Sequence, residues 1–230
     1  MASDGSRERV VFLFDVDNTL LDNDRVSADL RRHLDAEVGE DCGRHYWELF
    51  EELRNELGYA DYLGALQRYR DARPRDLRVL TVSHFLISYS FANRLFPGSL
   101  DALDHCATIG TTAILSDGDV VFQPRKVRRS GLYDAVDGRV LIYIHKEHEL
   151  DDVAERLPAD HYVLVDDKVR ILTAVKAAWG NRVTTVWPRQ GHYALDVADV
   201  ARYPVPDLTV ERIGDLVEHH LDGLVTAAGA

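Results

Sequence analysis

The 230-residue chain is predicted to be an α/β protein with a doubly wound parallel sheet and a smaller all-helical domain. Short apolar runs alternate with segments of helical pattern, polar residues directly follow most of the runs, and one long interval shows little strand pattern. An apolar run bounded by polar residues is typical of a strand that is buried on both faces. The alternation indicates parallel strands joined by right-handed crossovers, with helices on both faces of the sheet.

The predicted strands are five apolar runs, residues 10–14, 112–115, 140–144, 162–165 and 183–186. The helices predicted between and around them are residues 100–106, 125–130, 148–157 and 169–179. Pro97-Gly98-Ser99 precedes the first of these helices, Pro124 precedes the second, and Gly180 follows the last. Proline near the start of a helix and glycine after its end are common boundary signals, so they support the assignment.

One interval, from about residue 24 to residue 95, interrupts this alternation. Ser27 is the predicted N-cap of a helix over residues 27–38. Two further helices are predicted from apolar residues at helical spacing, which are Tyr46, Phe50, Leu53 and Leu57, then Tyr62, Leu66 and Tyr69. About seventy residues are too many for a simple crossover connection. We therefore divide the chain into an α/β core, residues 1–21 and 97–230, and a helical cap insert, residues 22–96; a helical elaboration that only pads the fold is the alternative.

The composition restricts the classes of partner. Lysine and arginine total 27 against 39 aspartate and glutamate, so the formal net charge is −12, and an acidic surface disfavours nucleic acid as a general partner. The two cysteines, Cys42 and Cys106, do not make a disulfide framework, which favours a reducing compartment. No apolar stretch is long enough to span a bilayer, and the first residues lack the pattern of a signal peptide. A cytoplasmic protein without a membrane partner is predicted, and its oligomeric state is left open.

Polar side chains follow four of the predicted strands. Asp15-Val16-Asp17 comes after the first strand, Ser116-Asp117 after the second, Lys146 after the third and Asp166-Asp167 after the fourth. In doubly wound sheets, ligands bind beyond the carboxyl ends of the strands, at the point where the strand order reverses. These side chains are therefore the candidates for a functional site.

Their order along the chain resembles the motifs of the haloacid dehalogenase (HAD) superfamily, from about residue 10 to residue 221. The first motif of that superfamily, an apolar strand followed by Asp-x-Asp-x-Thr, is matched by Asp15-Val16-Asp17-Asn18-Thr19. Ser116 matches the second motif, Lys146 the third, and Asp166-Asp167 the acidic pair of the fourth. The resemblance implies a Rossmann-like core with a helical cap.

The resemblance also implies a Mg2+-dependent phosphoester hydrolase that acts on a small phosphorylated metabolite through an aspartyl-phosphate intermediate. Asp15 would be the nucleophile and a metal ligand, and Asp17 the general acid and base, with its main-chain carbonyl as a second ligand. Asp166 and Asp167 would complete the protein ligands. Ser116 would donate to the phosphoryl oxygens, and Lys146 would neutralise charge. An anionic nucleophile that attacks an anionic ester needs such a cation and such donors.

Several assignments stay open at this stage. Lys126 competes with Lys146 for the third motif, with Lys168 a weaker rival, and either Asp166 or Asp167 could ligate the metal. The acidic residue that commonly follows the fourth motif is missing, and Asp117 stands where asparagine is common. Residues of the insert that could contact a polar substrate, although packing or surface roles fit each at least as well, are Arg44, Arg68, Arg70, Tyr89 and Arg94.

Three other functions remain possible. A phosphomutase of the same superfamily would use the same residues. A 2-haloacid dehalogenase would use an aspartate on carbon without Mg2+, but a halide leaving group needs no acid, so Asp17 argues against it. A catalytically silent binding module would need none of these groups to react. The identity of the substrate lies beyond the sequence.

Overall fold

The computed structural model describes residues 9–219. Within this range, six strands form one parallel sheet in the order β3-β2-β1-β4-β5-β6. The strands are β1 (Val10–Phe14), β2 (Thr111–Asp117), β3 (Val140–Tyr143), β4 (His161–Val165), β5 (Val183–Pro188) and β6 (Leu208–Val210). This arrangement confirms the predicted α/β fold.

The helices connect successive strands. They are α1 (Asn23–Glu37), α2 (Glu40–Leu57), α3 (Tyr62–Ala72), α4 (Val79–Ser88), α5 (Ser99–Ala107), α6 (Phe122–Ser130), α7 (Leu132–Ala135), α8 (Leu150–Arg156), α9 (Val169–Trp179), α10 (Gly191–Leu195) and α11 (Val197–Val200). Short 3-10 helices add the segments Phe91–Arg94, Lys146–His148, Gly180–Arg182 and Ile213–Glu218. None of the helices within residues 9–219 is both long enough and apolar enough to cross a membrane.

The first strand occupies the centre of the sheet. Val11 of β1 stands in register with Thr111 of β2 on one side and with Tyr162 of β4 on the other. From β1 the chain first builds outward through β2 and β3, and then returns to add β4, β5 and β6 on the opposite side. The order therefore reverses between β1 and β4, and the crevice at this switch point is where such sheets bind ligands.

Each face of the sheet packs into its own apolar cluster. Phe12 and Phe14 of β1 face one cluster, whereas Val11 and Leu13 face the other, as the two-residue period of a strand requires. All four side chains are buried. The sheet is thus covered on both faces, and its carboxyl edge is left to carry polar groups.

The helices α1 to α4 and the 3-10 helix at Phe91–Arg94 lie between β1 and α5. Phe50 stacks on Tyr62 with ring centroids 4.8 Å apart, and the Tyr46 hydroxyl donates to the Tyr62 carbonyl at 2.9 Å. Tyr62 and Phe91 both contact the ring of Phe122 in α6. Aromatic packing therefore holds these helices together and seats them against the sheet-bearing part of the chain. The division into two domains stays a prediction, and residues 1–8 and 220–230 of the predicted core lie outside the described residues.

The structure differs from the predicted elements at several places. The short helices α7, α10 and α11 were not predicted, and α6 begins at Phe122, three residues before the predicted start. Two further differences have a plain physical reason. The first helix begins at Asn23, four residues before the predicted cap Ser27, because Asp22 caps it by accepting the Arg25 amide at 2.8 Å. The sixth strand, Leu208–Val210, was not predicted. It has only three residues, at the edge of the sheet, and only Val210 among them is buried, so it forms no apolar run.

Candidate active site

The residues predicted from the strand ends meet at one edge of the sheet, beside the switch point. Asp15 follows β1, Ser116 lies near the end of β2, Lys146 follows β3, and Asp166 and Asp167 follow β4. All five side chains are buried. Parallel strands end at a common edge, so residues up to 152 positions apart in the sequence come together here.

A tight loop connects β1 to α1 and carries the remaining residues of the first motif. The amides of Leu20 and Leu21 both donate to the Val16 carbonyl, at 3.0 and 2.9 Å. Asn18 takes a positive φ of 62°, a conformation that asparagine tolerates better than most residues. Its side-chain oxygen accepts the amides of Asn23 and Asp24, at 3.0 and 3.2 Å. The loop therefore anchors the start of α1 directly at the candidate site.

Asp15 is held by donors on both carboxylate oxygens. Lys146 Nζ lies 2.6 Å from Oδ1, and the Ser116 hydroxyl donates to the same oxygen at 3.4 Å. Thr19 donates to Oδ2 at 3.4 Å, and its own oxygen accepts the Asp167 amide at 3.0 Å. These contacts fix the orientation of the carboxylate and keep it close to the hydroxyl of Ser116.

Lys146 is the central cation of the site. Its ammonium group also lies 2.6 Å from Asp166 Oδ2 and donates to the Leu115 carbonyl at 3.2 Å. Burial lowers the pKa of Lys146, but the carboxylates of Asp15, Asp166 and Asp117 outweigh burial and raise the pKa well above its ordinary value. Lys146 therefore stays protonated and binds two carboxylates at once.

Lys126, the rival candidate for the third motif, contacts a different aspartate. Its Nζ lies 2.6 Å from Asp17 Oδ1 and donates to Asn23 Oδ1 at 3.1 Å. Lys126 is 1% exposed, whereas the Asp17 side chain is 23% exposed and lines a cavity. Each of the two lysines thus holds one aspartate of the first motif, so Asp15 and Asp17 differ in both partner and exposure.

Three carboxylates form a group that could hold a metal ion. Asp15, Asp166 and Asp167 each offer an oxygen, and these oxygens lie within 4.8 Å of one another. Both side-chain oxygens of Asp167 are buried without a hydrogen-bond partner among the described residues. Burial raises the pKa of Asp166 and of Asp167, because an ionised carboxylate is costly away from water. A hard divalent cation such as Mg2+ would supply the missing partner, so the donor set fits this ion.

Asp17 is predicted to ligate through its main-chain carbonyl, and that role stays a prediction. Its side chain lies outside the group of three carboxylates and pairs with Lys126 instead. The side chain therefore stands apart from the three grouped carboxylates, at the wall of a cavity.

Asp117 and Lys168 are two further charged groups close to this edge. Asp117 Oδ1 accepts the main-chain amide of Lys146 at 2.7 Å, which shows why an acidic residue can follow Ser116 here. Burial raises the pKa of Asp117, and the charge of Lys146 and the hydrogen bond from its amide partly oppose this. Burial lowers the pKa of Lys168, but nearby carboxylates, Asp167 foremost, outweigh it and raise the pKa overall.

The charges at the site do not balance. Among the described residues, five carboxylates face three ammonium groups; they are Asp15, Asp17, Asp117, Asp166 and Asp167 against Lys126, Lys146 and Lys168. With every group ionised, the carboxylates exceed the cations by two charges, which is the charge that one divalent cation carries. The donor set and the charge balance therefore both suit a divalent metal.

A cavity of about 290 Å3 opens beside Asp17 and Asp117. The sheet-bearing part of the chain contributes Lys168, Arg170, His192 and Tyr193 to its lining, and the helices α1 and α2 with the following loop contribute residues that include Arg31, Trp47, Arg54 and Tyr59. Asp24 of α1 contacts His192, with His192 Nδ1 2.5 Å from Asp24 Oδ1. The cavity thus lies between the helical region and the carboxyl edge of the sheet.

None of the five substrate-contact candidates predicted from the insert lines this cavity. Tyr89 and Arg94 bind Asp29 and line a separate, larger cavity, and Arg68 pairs with Glu56 at 2.7 Å. Residues that the sequence analysis did not single out take part instead. Gln123 donates to the Ser116 hydroxyl at 3.0 Å, and Arg31 reaches the cavity from α1. No local pattern in the sequence marks either residue, since both act through tertiary contacts.

Comparison with known proteins supports the family suggested by these residues. The family model described as haloacid dehalogenase-like hydrolase matches residues 10–178. The chain belongs to this family. A HAD-like hydrolase of known structure from Burkholderia xenovorans LB400 is 65% identical, with a TM-score of 0.89, and the match covers 92% of this chain and 99% of that one. A comparison with curated proteins finds no significant match.

Two more distant HAD structures share the fold of this hydrolase. The HAD-hydrolase YfnB from Bacillus subtilis, solved bound to magnesium, is 17% identical with a TM-score of 0.60, covering 98% of this chain and 100% of that one. The L-2-haloacid dehalogenase from Xanthobacter autotrophicus, with chloropropionic acid covalently bound, is 20% identical with a TM-score of 0.59. The match covers 90% of this chain and 96% of that one. At these identities the likeness extends to the fold alone, so the reaction must be argued from the side chains.

Proposed function

We propose that this HAD-like hydrolase is a Mg2+-dependent phosphatase that acts on a small phosphate monoester. The observation that carries the proposal is the pair of aspartates after β1, held in different surroundings. Asp15 is buried against Lys146, whereas Asp17 is tethered by Lys126 at the wall of a cavity. One carboxylate is suited to attack, and the other to exchange protons with a leaving group or with water.

In the first half-reaction, an Asp15 oxygen attacks phosphorus and the bond from phosphorus to the ester oxygen breaks. Protonated Asp17 gives its proton to the departing alkoxide, and an aspartyl phosphate remains on Asp15. Ser116 and Lys146, which both contact Asp15, are placed to bind the phosphoryl oxygens and to offset their charge. Gln123 orients the Ser116 hydroxyl through its bond to that oxygen.

In the second half-reaction, water attacks the same phosphorus and the bond to the Asp15 oxygen breaks. Asp17, now ionised, takes a proton from the water, so Asp15 and Asp17 return to their starting forms. The product is inorganic phosphate. A phosphomutase would instead pass the phosphoryl group to a second hydroxyl group on the substrate, and product analysis separates the two reactions.

Asp15, Asp166 and Asp167 would hold Mg2+, together with the main-chain carbonyl of Asp17. The unpartnered oxygens of Asp167 and the excess of two negative charges support this assignment. When bound, Mg2+ supplies positive charge that reduces the repulsion between the nucleophile and the phosphoryl group. Asp167 contributes to binding by offering two oxygens that the described protein leaves unsatisfied.

We further propose that the helical insert, residues 22–96, acts as a cap over residues 1–21 and 97–230. The insert supplies one wall of the 290 Å3 cavity, and its aromatic residues seat it against α6. A cap of this kind would exclude bulk water during the first half-reaction and select the substrate.

The deciding experiment measures phosphate release from a panel of phosphorylated metabolites, in the presence of Mg2+ and of excess chelator. Wild-type protein should release phosphate only with Mg2+, and acid quenching should trap phosphate on the peptide that contains Asp15. Asp15→Asn should abolish both signals. Asp160→Asn is the matched control, because Asp160 lies at the opposite end of β4 and binds Arg9.

A comparison of esters with different leaving groups tests the proposed role of Asp17 in proton transfer separately. Asp17→Asn should slow alkyl phosphates more than activated aryl phosphates, because only a basic alkoxide needs protonation. Full phosphate release in chelator would contradict the Mg2+ dependence. Halide release from a 2-haloacid with no phosphate release from any ester would contradict the whole proposal and point to a dehalogenase. No turnover of either substrate class would point to a silent binding module.

A further inference from the structure

Two cations at the active-site cavity make no direct ion pair, although nearby carboxylates raise the pKa of one of them, Lys168. Among the described residues that line the cavity, Lys168 and Arg31 make no ion pair and their side chains make no hydrogen bond within the protein. Lys168 comes from the connection between β4 and α9, and Arg31 comes from α1. The two cations therefore stand on the two parts of the chain that enclose the cavity.

Aromatic rings hold both cations in place. Lys168 Nζ lies 5.0 Å from the centroid of the Tyr193 ring, and the Arg31 guanidinium lies 4.5 Å from the centroid of the Trp47 ring. A ring face attracts a cation but does not satisfy its N–H donors. Both groups thus keep hydrogen-bond donors for a ligand, and Trp47 itself is buried and fixed by Phe50.

The carboxylates that line the cavity are already engaged by protein groups. Asp17 binds Lys126 and Asp24 binds His192. Glu51 pairs with Arg54 at 3.4 Å, and Asp117 accepts the Lys146 amide. Among the described lining residues, the charged side chains that make neither an ion pair nor a hydrogen bond are therefore the two cations Arg31 and Lys168, although the chain as a whole carries −12.

We propose that the substrate is a small phosphate monoester with a second anionic group, a carboxylate or a further phosphate, which Arg31 and Lys168 bind. The proposal rests on the phosphatase function, and it adds the chemistry of the non-reacting end of the substrate. Arginine forms paired hydrogen bonds with either anion, and lysine binds either as a point charge. The cavity of about 290 Å3 restricts the class to compact molecules.

Three esters of equal chain length test this proposal. They are propyl phosphate, 3-(phosphooxy)propanoate and propane-1,3-diyl bisphosphate, which carry no second anion, a carboxylate and a phosphate. Wild-type protein should favour at least one of the two doubly anionic esters over propyl phosphate by about tenfold or more in kcat/KM, mostly through KM. The doubly anionic ester with the higher kcat/KM identifies whether the site binds a carboxylate or a phosphate.

Arg31→Gln and Lys168→Met should each reduce this preference by about tenfold, and Arg31→Gln should change propyl phosphate turnover much less. Arg32→Gln is the matched control, because this neighbour pairs with Asp29 and lines the other cavity. Lys168→Arg should restore part of the preference. If Lys168 contacts only the reacting phosphoryl group, Lys168→Met will lower kcat on all three esters alike, and this outcome overturns its role.

Binding separates failure of this inference from failure of the phosphatase assignment. Binding of the three esters to the Asp15→Asn protein is measured by titration calorimetry. This measurement requires no turnover of the esters. Tighter binding of a doubly anionic ester, lost in the Arg31→Gln and Lys168→Met backgrounds, supports the inference even if wild-type protein releases no phosphate. Equal binding of all three esters overturns it, even if wild-type protein hydrolyses every one of them.

Discussion

Lys126 Nζ lies 2.6 Å from Asp17 Oδ1, and this contact joins two residues 109 positions apart. The same ammonium group donates to Asn23 in the first turn of α1. Asn23 in turn donates to the Tyr62 hydroxyl at 3.3 Å. The proposed acid and base is therefore oriented by a buried lysine that is itself bound to the helical region.

Replacing this lysine should damage proton transfer more than it damages folding. Lys126→Met keeps the length of the side chain but releases Asp17, so we expect kcat for alkyl phosphates to fall by about tenfold to a hundredfold. Activated aryl phosphates should lose less in their first step. Steady-state and burst kinetics on both ester classes measure the difference.

A remote lysine provides the control for this variant. Lys176 pairs with Asp207 at 2.8 Å at the β5–β6 side of the sheet, and Lys176→Met should leave the kinetics unchanged. Lys126→Arg should recover part of the activity, because the charge is kept. An equal loss on alkyl and aryl esters would show that Lys126 acts only as a structural residue.

Asp167→Asn should stabilise the metal-free protein while it abolishes metal-dependent activity. Both Asp167 oxygens are buried without hydrogen-bond partners, and the cost of burial outweighs the attraction of Lys168. At a pH where Asp167 is ionised, removal of its charge therefore relieves a cost on the order of 1–3 kcal/mol. For a chain of this size that corresponds to a rise in Tm of several degrees, roughly 2–4 °C per kcal/mol. Thermal unfolding in chelator measures the rise, and a lower Tm would refute the assignment of Asp167 as an uncompensated charge.

The stabilising effect of Mg2+ should grow with pH. Burial raises the pKa of Asp166 to about 6 and raises that of Asp167 as well. The metal-free folded protein therefore binds more protons than the unfolded chain at intermediate pH. Because of these two aspartates, the free energy of unfolding falls as the pH rises from about 3.9, the pKa of a free aspartate, through their raised pKa values. Metal binding requires the ionised carboxylates, so protons compete with Mg2+ at the lower end of this window.

The measurement is the Mg2+-induced shift in Tm at about pH 5.5 and at about pH 7.5, with the larger shift expected at the higher pH. Asp167→Asn should reduce the shift at both values. A shift that is independent of pH would indicate that Mg2+ binds elsewhere on this acidic protein.

Gly58→Ala should disturb the contact between the helical region and the site. Gly58 ends α2 at a φ of 83°, and an added methyl group would lie 2.5 Å from His145 Cε1, next to Lys146. The backbone strain alone costs about 1–2 kcal/mol. The clash should add to this cost and lower turnover several-fold.

Gly131→Ala separates strain from collision. Gly131 ends α6 at a φ of 90° and a ψ of −8°, and Gly58 has a similar backbone conformation with a φ of 83° and a ψ of −1°. A methyl group added at Gly131 would have no atom within 4 Å. This control should lose stability without losing turnover. His145→Ala in the Gly58→Ala background should restore activity, and failure to do so would exclude the His145 contact as the cause.

The convergence of Asp15, Ser116, Lys146 and the pair Asp166-Asp167 could be predicted from the sequence. Each follows an apolar run or lies at the end of one, and parallel strands present their carboxyl ends at a common edge. The strand-end pattern thus contains the candidate active-site residues without knowledge of any tertiary contact.

Residues whose roles depend on how helices dock could not be assigned in this way. Lys126 lies in a segment rich in basic residues, where exposure is the ordinary expectation, yet it is 1% exposed because Asp17 and Asn23 cover it. Arg31 reaches the cavity only through the placement of α1 on the sheet. The start of α1 was missed for a related reason, since the main-chain amide of Asp22 donates a hydrogen bond to the Arg94 carbonyl, 72 residues away.

The central position of β1 also has a consequence for synthesis on the ribosome. Among the six strands β1 is synthesised first, but its partners β2 and β4 begin about 100 and about 150 residues later. Both edges of β1 therefore stay unpaired until those residues have been synthesised. The helices of residues 23–94 make mostly local contacts and can form during that delay, whereas non-local strand pairing is slow. We expect nascent chains that stop before β4 to expose an apolar strand with one or both edges open, and to depend on chaperones until residue 165 has left the exit tunnel.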